Sequence, residues 1–386
     1  MTPHPAETLT WLRERRDEIA DLTVQLAEAE SPSLDATAQE PVRAMLVKLL
    51  EDLGFEVERV PGAAGCDHLR ATLPGPDDRP IQLLLGHFDT VWPVGTLATM
   101  PVERRDGRLH GPGVFDMKGG IAQMIYALRA NFELGLEMPC RPVVMLNCDE
   151  EIGSPDSRPH VEALAAQAAR AFVMEPSFGP GGRLKTGRKG VGRYRLKVTG
   201  VASHAGLDPA AGASAIREVS HQVERLFELN DPERGITVNV GTIDGGMRAN
   251  IVAPEASAEI EARVQTAEDA IAVDAAIHGL EPTAERITLE VEGHFNRPPL
   301  EPTPRNRALW ESAREAAAAL GLKIEEAQVG GASDGNFASQ FTATLDGLGA
   351  VGDGAHADHE HLVVEHLPER AALLALLLSC PPEVQS

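Results

Sequence analysis

This sequence of 386 residues has few features that suit a disulfide scaffold, a membrane span or a nucleic-acid binder. It has only four cysteines, Cys66, Cys140, Cys148 and Cys380, scattered and without a C-x-x-C pair. Such usage excludes a disulfide framework and suits reduced, mostly buried thiols. No apolar run approaches the roughly 20 residues needed to cross a bilayer. Basic residues are in the minority: 35 Lys and Arg stand against 58 Asp and Glu, a formal charge of −23. That balance excludes a basic nucleic-acid face and favours attraction of divalent cations. The opening stretch "MTPHPAETLTWLRERRDEIADL" carries charge throughout and no apolar core. No secretory signal is read there, and a cytoplasmic location is expected. Low-complexity tracts and repeats are also missing. What remains, with 43% hydrophobic and 24% charged residues, is a soluble globular composition. At this length two domains are the natural expectation.

Helical spacing runs from about residue 6 to 30 and from 38 to 53, where Val42, Leu46, Leu49, Leu50 and Leu53 line one face and Gly54 supplies a stop. "FEVERV" alternates as a strand does. Short apolar runs at Ile81–Leu85, Val143–Leu146 and Ala171–Met174 read as buried strands. Helical segments at Ile121–Phe132 and Val161–Ala169 separate them. This alternation predicts an α/β domain with a large parallel or mixed sheet. After about residue 187 the pattern changes. "GRYRLKVTG" alternates strictly, and the order strand, helix, strand, strand, helix, strand follows, which predicts a ferredoxin-like β-α-β-β-α-β domain. The Pro-rich "RPPLEPTP" then leads back to an α/β pattern. The expected organisation is a larger domain made of residues 1–187 and 298–386, with a smaller domain, 188–297, inserted.

Ligands of open α/β sheets bind beyond the carboxyl ends of the strands. Here the strand "LLLGHFDT" ends on His87 and Asp89, and the loop "LHGPGVFDMKGG" presents Asp116 before a helix. "PVVMLNCDEEIGS" ends on Asp149, Glu150 and Glu151, and "AFVMEPS" on Glu175. Near the C-terminus "GAVGDGAHADHEH" brings His356, His359 and His361. Any one of these, alone, reads as a helix cap or a surface loop residue. Together, carboxylates at successive strand ends would repel one another unless a cation neutralised them, and imidazole with carboxylate is the donor set of zinc. The adjacent pair Glu150 and Glu151 is informative, since neighbouring side chains point opposite ways. One can ligate while the other takes a proton from water made acidic by the metal. Such a site hydrolyses an amide.

The set "HFDTV", "GPGVFDMKGG", "DEEIGS", "EPS", "SHAG" and "GAH" resembles, in order and spacing, the di-zinc aminoacylase/carboxypeptidase family over nearly the whole chain. That family includes acetylornithine deacetylase, succinyl-diaminopimelate desuccinylase, aminoacylases, peptidase T-like enzymes and the folate-cleaving glutamate carboxypeptidase. The resemblance implies two zinc ions per subunit, with cobalt or manganese as substitutes. It implies His87 with Glu175 on one ion, Glu151 with His356 on the other, and Asp116 bridging. Asp89 would orient the imidazole of His87, and Glu150 would be the general base and acid. His356 is the better match among the three C-terminal histidines, because the pattern places a Glu (Glu360) four residues on. In the inserted domain, His204 resembles a histidine that reaches a partner's site across a homodimer interface. Asn250 and Arg263 resemble substrate-contacting residues.

For the substrate, Arg297 in "FNRPPL" and Arg183, eight residues beyond Glu175, resemble carboxylate-binding positions. The loop Gly330–Phe337, with Gly331 and Ser333, resembles one that receives the substrate's carboxylate. The implied activity is a carboxypeptidase releasing a C-terminal acidic residue, with an N-acyl-amino-acid deacylase as the alternative. An N-acyl amino acid or short peptide is the expected substrate, with no nucleic-acid or membrane partner. Two other classes carry less. A metal-bound scaffold without catalysis has no use for Glu150 beside Glu151. A cysteine hydrolase built on Cys148 meets carboxylates that would raise the thiol's pKa.

Overall fold

The computed structural model describes residues 5–75 and 78–382. Helices α1 (Pro5–Glu14), α2 (Arg16–Glu28) and α3 (Ala36–Asp52) precede strands β1 (Glu56–Val60), β2 (His68–Thr72) and β3 (Ile81–His87). The hairpin β4 (Glu103–Arg105) and β5 (Arg108–His110) leads to α4 (Gly119–Glu133), β6 (Arg141–Asn147), α5 (Arg158–Ala165) and β7 (Ala168–Val173). Next come β8 (Leu184–Arg188), β9 (Gly190–Thr199), α6 (Ala215–Phe227), β10 (Thr237–Gly245), β11 (Glu255–Val264), α7 (Ala267–His278) and β12 (Thr288–Arg297). The chain continues through α8 (Pro304–Ala319), β13 (Glu326–Val329), α9 (Asp334–Ala338), β14 (Ala343–Leu345), β15 (Gly352–Asp353), β16 (His361–Val363) and α10 (Leu367–Ser379).

Two compact units result. One comprises Met1–Thr186, Pro302–Val329 and Ser333–Ser386, and the other Gly187–Glu301 and Gly330–Ala332. The last three residues belong to the second unit because its arginines hold their carbonyls: Arg188 donates to Gly331 and Ala332, and Arg263 to Gly330. Nothing in the sequence pattern marked that short return.

The first unit is built on a six-stranded sheet in the order β1-β2-β6-β3-β7-β14. Strands β6, β3, β7 and β14 run parallel, and β2 joins β6 antiparallel. The sheet is therefore mixed. Period-2 alternation divides the side chains between its two faces. Leu84, Val144, Leu146 and Phe172 enter a core with residues of α1 to α4, α8 and α10, while Leu83, Leu85, Val143, Met145, Ala171 and Val173 meet α5 and α9. A separate four-stranded sheet, β15-β16-β5-β4, belongs to the same unit. The helix expected over Val161–Ala169 stops at Ala165, and the strand expected from Ala171 begins at Ala168. The run "ALAAQAARAF" has no Gly or Pro to mark the change, and pairing with β3 decides it.

The second unit has one antiparallel sheet, β10-β11-β9-β12, with α6 and α7 on one face, the β-α-β-β-α-β arrangement expected. Tyr194, Leu196 and Val198 face the helices. Arg195 and Lys197 point the other way, paired with Glu259 and Glu292, so that face is solvated and charged.

Candidate metal centre

Parallel pairing puts the ends of three strands side by side. His87, the last residue of β3, stands opposite Asn147, the last of β6, and Leu85 stands opposite Val173 of β7. Residues just beyond those ends, Glu150 and Glu151 in a 3-10 turn and Glu175 two past Val173, therefore meet His87. Asp116 reaches the same place from the loop after β5, and a cis peptide joins it to Met117. His356 comes from the connection between β15 and β16 and has a φ of 62°. A non-glycine residue in that left-handed region is held there by its surroundings, as side chains at working sites often are.

The ring of His87 is the centre of the cluster. Its Nε2 lies 3.3 Å from Asp116 Oδ1 and 3.5 Å from Glu175 Oε1. His356 Nε2 lies 3.0 Å from Glu151 Oε2 and 3.4 Å from Asp116 Oδ2. Asp116 thus turns one oxygen to each imidazole. Glu150 joins His87 and Glu175 in a group whose ligand atoms all lie within 4.8 Å of one another, and His87, Asp116 and Glu151 form a second such group.

Asp89 does more than the sequence suggested. It lies 3.3 Å from His87 Nδ1, and its two oxygens also accept the backbone N–H groups of Glu150 and Glu151 at 3.3 and 3.2 Å. Ser33 donates a further bond to it at 2.7 Å. One fully buried carboxylate therefore orients the histidine and sets the acidic turn. Glu360 plays the corresponding part for Asp116. Its carboxylate accepts N–H bonds from Gly113, Phe115 and Asp116, each at 3.0 Å, and from the indole of Trp92 at 2.8 Å. Burial pushes Glu360 up to about 7, against those donors. Neither Ser33 nor Trp92 carries a sequence signal of this role.

The electrostatics suit a cation. Burial alone would depress His87, but the neighbouring carboxylates of Asp116, Asp89 and Glu175 carry it well above the usual imidazole range. Bonds to Asp116 and Glu151 push His356 up to about 11. Burial raises Asp116, and the two imidazoles outweigh it and hold its carboxyl below the usual range. Burial raises Glu151. Three buried atoms, His87 Nε2, Asp116 Oδ1 and Glu151 Oε1, have no hydrogen-bond partner. Orphaned buried donors and acceptors are costly, and a divalent ion would satisfy all three. The residues present therefore fit a metal pair.

Glu175 is held in place by glycine packing. Gly349 donates to its carbonyl at 2.9 Å, and the fully buried guanidinium of Arg370 binds the carbonyls of Gly347, Gly349 and Gly182. A Cβ on Gly349 would stand 2.2 Å from Met174 O. Gly349→Ala is thus expected to destabilise the protein by about 1–3 kcal/mol and to weaken ion retention. Gly181→Ala, where nothing lies within 4 Å, is the control. Melting temperature and metal content after dialysis check both, and equal behaviour of the two variants would refute the packing argument.

The other expected positions fall as follows. Arg183 is half-buried, with its guanidinium 4.7 Å from the ring centre of Phe178. Lys185, which belongs to none of the motifs, is buried with Nζ 3.9 Å from Glu175 Oε2. Ser333 is fully buried. Its hydroxyl donates to Asp346 at 2.6 Å and accepts from Gly335, so it caps α9 instead of offering a hydroxyl to a ligand. Gly331 is exposed, and its carbonyl is taken by Arg188. In the second unit, His204 and Asn250 sit in adjoining exposed turns, linked by the bond from Ala205 N to Asn250 O. Two N–H groups, of Gly206 and Leu207, donate to His204 Nδ1, so the neutral ring carries its proton on Nε2. Arg263 pairs with Glu261 at 2.8 Å, and Arg297 is buried at the end of β12. His356, His359 and His361 all lie outside the two ligand groups, and it is the contacts with Asp116 and Glu151 that join His356 to the cluster. Cys148 does have a histidine neighbour, His68 Nδ1 at 3.2 Å. Its thiol is nevertheless fully buried, donates to Cys66 O, and is pushed far up by burial and by Asp149, so it is inert.

An α/β unit with clustered carboxylates and imidazoles at its strand ends defines a metallohydrolase fold and site. Residues 83–379 match Peptidase family M20/M25/M40, and the chain belongs to that family. It is 29% identical to carboxypeptidase G2 of Pseudomonas sp. (strain RS-16), covering 92% of this chain and 87% of that one. It is 30% identical to a succinyl-diaminopimelate desuccinylase of Xanthomonas campestris pv. campestris (strain 8004), covering 94% and 98%. Among solved structures, aminopeptidase PepT from Bacillus cereus superposes with a TM-score of 0.77 at 24% identity, covering 95% and 98%. A dinuclear metal binding M20 peptidase from Bacillus subtilis gives 0.69 at 16%, also covering 95% and 98%. The protein is a metal-dependent hydrolase of the peptidase and amidohydrolase class.

Proposed function

We propose that the protein is a di-zinc carboxypeptidase that releases a C-terminal acidic residue from an acyl or peptidyl amide. The observation that carries this reading is Glu150 set beside His87 and Glu175, with Lys185 Nζ 3.9 Å from Glu175. His87 and Glu175 would hold one ion and Glu151 and His356 the other, with Asp116 shared. Bound there, zinc would polarise the scissile carbonyl and lower the pKa of water to about 7. Glu150 takes the proton of the attacking water and passes it to the leaving nitrogen. Asp89 keeps His87 oriented and the Glu150–Glu151 turn fixed throughout. Lys185 and Arg183 supply positive charge for the carboxylates of the leaving residue.

His204, Asn250, Arg263 and Arg297 are assigned to substrate or oxyanion binding on the motif resemblance. The Nε2–H of His204 is the right donor for an oxyanion. A homodimer formed through the second unit is part of this reading. The edge strand β10 and the turn after it expose Ile243 and Met247, as a subunit interface requires. Among the described residues no helix is long and apolar enough to cross a membrane. A cytoplasmic location stays part of the proposal.

The test is release of free amino acid by the zinc-loaded protein from folyl-glutamate, N-acyl-glutamate, N-acyl-alanine, N-acetylornithine and N-succinyl-diaminopimelate. Glutamate substrates are expected to lead. Preference for a neutral or basic amino acid would replace this reading with the deacylase one, which the desuccinylase relative favours.

A further inference from the structure

The two C-terminal histidines left out of the metal centre have separate surroundings, and those of His361 are unusual. In the sheet β15-β16-β5-β4, register places Glu103, His110, His361 and Asp353 in one row, each directly opposite the next. Directly opposed residues of antiparallel strands project from the same face, with Cβ atoms about 4.5–5.5 Å apart. The row therefore carries two imidazoles flanked by two carboxylates. The rings of His110 and His361 have centroids 5.2 Å apart and an interplanar angle of 30°. Two imidazoles bound at about 2.1 Å to one ion, at a tetrahedral angle, have ring centres roughly 5 Å apart. A second observation is independent of that spacing. His361 Nδ1 donates to the carbonyl of His359 at 2.9 Å. That bond fixes the ring and leaves Nε2 as the lone-pair nitrogen, the arrangement that prepares a histidine for a metal.

We propose that His110 and His361 form a second, peripheral site for one borderline divalent cation such as zinc, nickel or copper, with Glu103 and Asp353 supplying negative charge and water completing the shell. Both rings are half-buried and reachable from solvent. Arg105 and Arg108 lie on the same face and weaken the site, and Arg105 already draws on Glu103 at 3.7 Å. The site's affinity is therefore below that of the catalytic pair. Its position gives it a consequence. β5 leads directly into the Gly111–Asp116 loop, and β16 begins one residue after Glu360, whose carboxylate holds that loop. An ion there clips together the two segments that set Asp116 and His356.

The test is equilibrium dialysis of the zinc-loaded protein against micromolar free zinc, with elemental analysis. Wild type is expected to hold one more ion per chain than His110→Ala or His361→Ala, while both variants keep wild-type turnover at low free zinc. Equal counts in all three would overturn the site. If the catalytic pair itself were misread, all three counts would fall together and the difference of one would persist. A test without substitution is the spectrum of copper(II) added to zinc-loaded wild type. Couplings from two imidazole nitrogens are expected, since each catalytic ion would have only one, and a single coupling or none would sink the proposal.

Discussion

Glu150→Gln is expected to lower kcat by about 10²–10⁴-fold while leaving metal content, KM and melting temperature close to wild type. The substitution keeps the size and polarity of the side chain and removes only its capacity to accept a proton. The turn that carries it is pinned independently, through its own N–H and that of Glu151, to Asp89. The backbone therefore has no reason to move. Glu150 nevertheless shares a ligand-sized group with His87 and Glu175, so the geometry alone also admits it as a metal ligand. Metal analysis separates the two roles. A variant that loses an ion along with its turnover would make Glu150 a ligand and remove the proposed base.

Asp116→Ala is expected to abolish turnover and cut metal content from two ions per chain to one or none. Asp116 places one oxygen 3.3 Å from His87 Nε2 and the other 3.4 Å from His356 Nε2. Removing it would take the shared donor from both ions. Ions that bind only the folded state stabilise it by mass action, about 2.7 kcal/mol at a hundredfold excess over the dissociation constant. A chelator should thus lower the melting temperature of wild type and leave that of Asp116→Ala nearly unchanged. An equal fall in both would show that the ions are held elsewhere. The same site sets the pH response. His356, pushed up to about 11, and His87, held well above its usual value, must each release a proton when an ion binds. Ion retention should accordingly weaken as pH falls.

Much of this protein was determined by its sequence alone. Val and Leu runs ending on His87, Glu150–Glu151 and Glu175 specify buried parallel strands with ionisable side chains at their tips, since parallel strands read as continuous apolar segments. The strict alternation of Arg193 to Val198 specifies a sheet with one wet face. Short motifs of unusual chemistry identify the family, because each keeps its donors at a fixed distance from a strand end. Only the tertiary structure decided the rest. Composition alone left His356, His359 and His361 equivalent, and only the motif resemblance favoured His356. Loop geometry puts His356 on Glu151 and Asp116, and sheet register sends His361 to His110. Ser333 read as a substrate hydroxyl, but burial made it a helix cap. Lys185 gave no signal at all, since its place beside Glu175 depends on a neighbouring strand. Hydrophobic period and motif spacing are local properties and survive in one dimension. Which polar side chain meets which, and whether it is wet or buried, depends on contacts between residues far apart in the chain.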